Sequence, residues 1–223
     1  TDEEHSFICC LSSVNLTKYN EWKNTDLVET SIYFLDGVLE EFLGKTSGRD
    51  SLIRSHRSAK KGRAIGLGVL GWHTMLQNER IPFASLAATS LTHQIFSKIE
   101  AASRKLAIEY GEPLWCKGTG MRNTHLMAVA PTVSNSTIAG GVSAGIEPHP
   151  ANIYTFNSAK GTFIRKNGAL ETYLEEKGAN TEEVWDQIMK DRGSIANLPE
   201  DIMPAEDKPI FLTFAEINQL QLV

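Results

Sequence analysis

The sequence predicts an α/β fold built on a parallel sheet, with long helices and a separate β-hairpin. Three observations carry that expectation. Short apolar runs at residues 6–14, 64–72 and 125–130 alternate with long segments of helical periodicity. Glycine and proline punctuate the junctions between them. A further pair of alternating runs, 153–156 and 162–165, lies around Ala159-Lys160-Gly161 and reads as a hairpin. With 223 residues, 41% of them apolar and 22% charged, the chain can bury a substantial core, and wholesale disorder is excluded.

The elements follow in order. Residues 6–14 (SFICCLSSV), with 7–11 at their centre, are expected to form a buried strand. Asn24-Thr25-Asp26 offers helix caps, and Leu27, Val28, Ile32, Leu35, Val38, Leu39 and Phe42 then recur at helical spacing up to a stop at Gly44. Residues 47–63 are polar and basic. The run 64–72 (AIGLGVLGW) is apolar and dotted with glycine, which suggests a strand pressed against other backbone. Residues 84–110 form a long amphipathic helix with Leu91, Ile95, Ile99, Ala102 and Leu106 as its apolar stripe and Gly111-Glu112-Pro113 as its stop. Residues 125–130 (HLMAVA) are a third strand broken by Pro131, and a polar, glycine-rich loop follows over 132–145. After the hairpin come helices over 170–176 and 181–190, and a proline-punctuated stretch over 199–209. A last helix is expected to begin near Phe211 and to be cut off at Leu220-Gln221-Leu222-Val223, so both ends hint at an excerpt of something longer.

Composition narrows the function. The charge is −5, from 22 basic and 27 acidic side chains, which repels phosphate backbones and argues against a nucleic-acid partner. No run of about 18 apolar residues exists and the amino terminus is polar and acidic, so neither a membrane span nor a secretory signal is expected. Two of the three cysteines, Cys9 and Cys10, are adjacent and cannot form an ordinary unstrained disulfide. The reading is a reduced, cytoplasmic chain.

Gly66-Leu67-Gly68-Val69-Leu70-Gly71 matches the dinucleotide fingerprint literally. The glycines lie inside an apolar run instead of after it, however, and between Arg80 and Lys98 there is no acid to hold a ribose. Close backbone packing explains them better. The cluster Arg54, His56, Arg57, Lys60, Lys61 and Arg63 is a solvated face or a helix carboxyl end or, failing that, a phosphate-facing patch. The six histidines show no zinc spacing, and no metal site is expected. Two features resist a bland account. Cys9 and Cys10 sit in the first strand, where a small hydrophobe would also serve. The segment 130–137 packs hydroxyls, an amide and N–H groups just past a strand's carboxyl end, where α/β folds bind ligands; helix capping is the alternative.

Taken together, Ile8-Cys9-Cys10-Leu11-Ser12-Ser13-Val14-Asn15-Leu16, Arg63-Ala64-Ile65-Gly66-Leu67-Gly68-Val69, Arg122-Asn123-Thr124-His125 leading into Ala130-Pro131-Thr132, and Gly145-Ile146-Glu147-Pro148 resemble the class I ribonucleotide reductase large subunit over nearly the whole chain. The resemblance implies a partial parallel α/β barrel, half of a ten-stranded one. On that basis 1–223 is a single incomplete domain, with the strand/helix barrel core at 1–150 and the hairpin plus helical extension at 151–223. It implies that Cys9 is one of two redox thiols that reduce the ribose, with Cys10 on the opposite face of the strand. It also implies that Pro131, Thr132, Val133, Ser134 and Asn135 hold the substrate diphosphate, Val133 standing where the family often has a polar residue. The family's thiyl-radical motif, Asn-Leu-Cys-x-Glu, is not in the sequence, and Asn15-Leu16-Thr17 does not replace it. Implied partners are the nucleotide substrate, the remaining half of the large subunit and a radical-generating small subunit. Electrons would come from a thioredoxin- or glutaredoxin-type donor, with no cofactor bound by this chain. The rival expectations are a non-catalytic interaction module derived from that barrel and an NAD-dependent dehydrogenase resting on Gly66 to Gly71.

Overall fold

The computed structural model describes residues 1–158 and 160–221. They form two compact units, one of residues 1–70 and 91–132, the other of 71–90 and 133–223. The units divide after Leu70, Ser90 and Thr132, so the segment after the second strand belongs to the later unit.

In the first unit, strand β1 (Cys10–Asn15) pairs in parallel with β2 (Ile65–Leu70), with Leu11 opposite Gly66 and Ser13 opposite Gly68. The expected βαβ unit is therefore present, its crossover made of α1 (Tyr19–Trp22), α2 (Leu27–Thr46) and α3 (Ile53–Gly62). Helix α2 runs through Gly44 to Thr46, whose hydroxyl donates to Phe42 O at 2.8 Å, and Gly48 then turns the chain at φ 72°. Val28, Ile32, Leu35 and Leu39 of α2 bury the stripe read from their spacing. Strand β2 is buried at every residue.

The first apolar run behaves differently from expectation. The strand starts at Cys10, not Ser6, and the run is open: Phe7 is 47% and Leu11 55% exposed. An apolar run is buried only where a second layer covers it, and this face of β1 is uncovered. The third segment, 125–130, is likewise less than a full strand. It is held by one parallel bridge, Leu67 to Met127, and by hydrogen bonds from Ile65 N to His125 O (3.0 Å) and Leu67 N to Leu126 O (2.9 Å). Two bonds are too short a ladder to extend to Pro131. Helix α5 (Leu86–Tyr110) buries Ile95, Ile99, Ala102 and Leu106, and Gly111 ends it at φ 81°.

The second unit contains α4 (Trp72–Asn78), the short α6 (Val133–Ile138), the antiparallel hairpin β3 (Ile153–Ser158) and β4 (Gly161–Lys166), α7 (Gly168–Glu176) and α8 (Glu182–Lys190). Of the hairpin turn, Ala159 lies outside the described residues. The Asn167 and Thr181 side chains cap α7 and α8. A core of thirteen buried side chains gathers around Leu170, Tyr173, Trp185, Ile188 and Phe211. The helix expected near Phe211 is absent. Phe211 follows a 3-10 turn at Lys208–Ile210, and residues 213–217 make a single turn in which the Glu216 carboxylate accepts from Thr213 N (2.8 Å) and Thr213 Oγ1 (2.7 Å). A further 3-10 turn follows at Gln219–Gln221, and Leu222 and Val223 lie outside the described residues. Among the described residues no helix is long and apolar enough to cross a membrane.

Candidate functional site

The two glycines of β2 shape the open face of the first unit. A Cβ built on Gly66 would stand 2.5 Å from Leu11 Cδ2, 2.6 Å from Ala128 Cβ and 3.2 Å from Cys9 Sγ. One built on Gly68 would collide with the carbonyl oxygen of Ala128 and stand 3.2 Å from Ser13 Oγ. Cys9, Leu11 and Ser13, two residues apart, thus share one face with Gly66, Gly68 and Ala128. The glycines admit close backbone approach; they lie within the strand, where no dinucleotide turn can form.

Cys9 stands one residue ahead of β1, half-buried, and Cys10 falls to the other face by alternation. Burial pushes the Cys9 thiol up from its ordinary value, and the neighbouring Cys10 adds to the rise; burial alone raises Cys10. Cys9 is therefore held as the protonated thiol at neutral pH. Cys116 is buried in a 3-10 turn at Leu114–Cys116, its thiol raised by burial first and then by Glu112.

The loop after residue 130 turns directly into α6. Pro131, Val133, Ser134 and Asn135 are exposed and Thr132 is half-buried, with Thr132 in the left-handed region at φ 46°. A non-glycine residue held there is strained, and such strain is concentrated at ligand clamps and turns. Val133, Ser134 and Asn135 form the first turn of α6, whose N–H groups have no partner within the helix itself. The loop divides at its middle, Pro131 and Thr132 belonging to the first unit and the other three residues to the second.

Of the basic cluster, Arg54, Arg57 and Lys60 are exposed on α3. His56 Nδ1 meets Thr46 Oγ1 at 2.9 Å, and Lys61 Nζ meets His5 Nε2 at 2.8 Å. Arg63 corrects the expectation of a solvated or phosphate-facing side chain. It is 4% exposed and forks onto the Asp36 carboxylate at 2.7 and 2.8 Å, with Glu40 at 2.8 Å. Asn15, in the segment set aside as no radical loop, caps a 3-10 turn by accepting from Thr17 N at 3.0 Å. Among the described residues no three His, Cys, Asp or Glu side chains converge as a metal site would require.

Residue spacing missed the network around Arg63. Asn123 Nδ2 donates to Asp36 Oδ1 (3.0 Å) and to Arg63 O (2.9 Å), while Ser103 Oγ donates to Asn123 Oδ1 (2.8 Å). All four residues are buried. The one available signal was Asp36 itself, an acid set among Ile32, Leu35 and Leu39 on the apolar side of a helix.

The chain matches the family model described as ribonucleotide reductase, barrel domain, over residues 1–114 and 115–223, and it belongs to that family. A solved structure, the class Id ribonucleotide reductase alpha subunit of Actinobacillus ureae, superposes with a TM-score of 0.86 at 44% identity, covering 99% of this chain and 41% of that one. The putative ribonucleoside-diphosphate reductase large subunit of Frog virus 3 is 40% identical over 100% of this chain and 40% of its own length. The large subunit of Invertebrate iridescent virus 6 is 39% identical over 98% of this chain and 23% of its own length. The chain therefore spans about two fifths or less of these relatives. At lower identity, 29% over 94% of this chain, stands a vitamin B12-dependent ribonucleoside-diphosphate reductase of Mycobacterium tuberculosis.

Proposed function

We propose that this chain supplies part of the catalytic barrel, about half of its ten strands, to a ribonucleotide reductase large subunit that converts ribonucleoside diphosphates to deoxyribonucleotides in the cytoplasm. The observation that carries the reading is the thiol of Cys9 lying over Gly66 on an open face of a parallel sheet. Family membership supports it.

In this mechanism a thiyl radical elsewhere in the barrel removes the ribose 3′-hydrogen. Cys9, kept protonated by its surroundings, gives its proton to the departing 2′-hydroxyl, which leaves as water. Its sulfur then joins a second barrel thiol in a disulfide, the pair delivering two electrons and the second thiol's proton to C2′, and the hydrogen first removed returns to C3′ and regenerates the thiyl radical. Pro131, Thr132, Val133, Ser134 and Asn135 hold the diphosphate through backbone N–H groups and hydroxyls. The rest of the large subunit, a radical-generating small subunit and a thioredoxin- or glutaredoxin-type donor complete the cycle. The higher identity to relatives titled large or alpha subunits favours a protein radical partner over the vitamin B12 route.

Cys9→Ser in the full large subunit tests the reading. Multiple-turnover nucleotide reduction is expected to be lost with the small subunit supplied. Unchanged turnover would remove Cys9 from the chemistry and leave a barrel-derived binding module as the better account. Activity restored by adenosylcobalamin without the small subunit would reassign the radical source.

A further inference from the structure

We propose that Asn123, acting through the buried Asp36–Arg63 pair, is a positioning residue that sets the register of residues 125–130 against β2 and so fixes where Pro131 and Thr132 emerge. This rests on the reading of residues 131–135 as the substrate loop and deepens it.

The segment 125–130 is held to β2 by few contacts. Its ladder to β2 consists of two hydrogen bonds and one bridge, and Met127 (53% exposed) and Val129 (71% exposed) have little packing to resist a slip. Parallel pairing so short specifies register weakly. The contact with Gly68 is nevertheless close, since even a Cβ there would collide with the Ala128 carbonyl oxygen. Register must therefore be imposed from outside the ladder.

The residues before the segment supply it. Thr124 N donates to Gly62 O at 3.0 Å, and the Asn123 amide bridges Arg63 O and Asp36 Oδ1. Arg63 is itself held at both ends, capping α3 in the left-handed conformation at φ 47° while its guanidinium forks onto Asp36. Arg63 O and the Ile65 N–H thus both belong to the α3–β2 junction, and Asn123 and His125 bind them two residues apart on each side. Ser103 Oγ on α5 orients the amide by donating to its oxygen. Arg122 Nη1 donates to Tyr110 O (2.9 Å) and Gly111 O (2.8 Å), tying the residue before the pin to the carboxyl end of the same helix.

The experiment compares Asn123→Ala with the unaltered full-length large subunit and its partner subunit, by hydrogen exchange and by steady-state kinetics. Exchange at the Ile65 and Leu67 amides is expected to quicken, while Gly66 and Gly68, which face β1, keep their protection. The KM for nucleotide is expected to rise by about tenfold or more, with kcat within about twofold, since β1 and Cys9 stay in place. Alkylation of Cys9 in nucleotide-free protein is expected to be unchanged. Ser103→Ala should move the same quantities in the same direction by less, and it carries the test if Asn123→Ala fails to fold. A purely structural role would lower the folded fraction, and with it kcat, at constant KM; that result overturns the inference. So does a raised KM without faster exchange at Ile65 and Leu67. Asn135→Ala, measured alongside, separates the two readings. If it raises KM and Asn123→Ala does not, only the positioning role falls. If neither raises KM, the substrate loop has been wrongly placed and both fall.

Discussion

The two units keep their order by opposite means. The later unit closes around an apolar core in which Ile153, Leu170, Tyr173, Leu174, Trp185, Ile188 and Phe211 are 5% exposed or less. The earlier one has a fully buried β2 but leaves the face of β1 open, and it secures the third segment with polar groups: a forked ion pair, a bridging amide and a hydroxyl. Dispersion and water exclusion hold side chains wherever enough area is covered, without fixing one register. Buried directional bonds can fix it, at the risk of a large penalty when one partner is lost. A sheet with one face left open has less area to cover, and the polar device suits it.

The comparison can be broken at either end. Removing the Asp36 carboxylate by Asp36→Ala leaves the Arg63 guanidinium buried without its main partner, and is expected to cost about 3–5 kcal/mol. Phe211→Ala empties the centre of the later core, where the ring is fully buried and 5.2 Å from that of Tyr173, with an expected cost of about 3–5 kcal/mol. Equilibrium unfolding gives both totals, and hydrogen exchange shows where each falls. The first should release amides of β2, the second those of α7 and α8; the same amides released by both would erase the distinction.

A smaller effect is expected from Gly68→Ala. The added methyl meets the backbone carbonyl of Ala128, which cannot rotate away as a side chain would. The segment 125–130 should detach locally at about 1–3 kcal/mol, read as lost protection at the Leu67 amide with the core of the later unit unchanged.

Acid should separate the two units as well. His73 and His149, with rings 5.5 Å apart, are buried in the later unit, whereas the four histidines of the earlier one are exposed or half-buried. Burial lowers His73 to about 3, with His149 adding to the fall, and burial lowers His149 to about 4. Both folded values lie below the ordinary 6.5, so the unfolded chain takes up these protons first. Stability is then complete above about pH 6.5 and falls with the pH towards 4, by up to about 1.4 kcal/mol per pH unit for each histidine. Unfolding midpoints between pH 7 and pH 5 should fall for α7 and α8 before β2. Simultaneous loss would mean that other groups dominate.

Much of this was legible in residue order. The helices α2, α5, α7 and α8 declare themselves by apolar spacing that needs no tertiary information, because each buries one stripe. The parallel pairing of β1 with β2 follows from two apolar runs separated by a helical crossover. The glycines at 66 and 68 signalled close backbone approach, since a strand interior gives them no other use. Residue order also marked Cys9, Cys10 and residues 130–137 as positions to watch, and the family resemblance narrowed them to Cys9 and 131–135.

Only the tertiary structure decided the rest. It set the start of β1 at Cys10, because exposure of Phe7 and Leu11 depends on what covers a face and apolar content alone cannot supply the cover. It reduced residues 211–217 to one turn, where Phe211 serves a core assembled from chain far away. It took Arg63 out of a basic cluster and buried it against Asp36, 27 positions earlier. It joined Asn123 to both. Local periodicity reports which residues prefer to leave water. Which polar groups meet there is fixed by contacts between distant parts of the chain, and those exist only once it has folded.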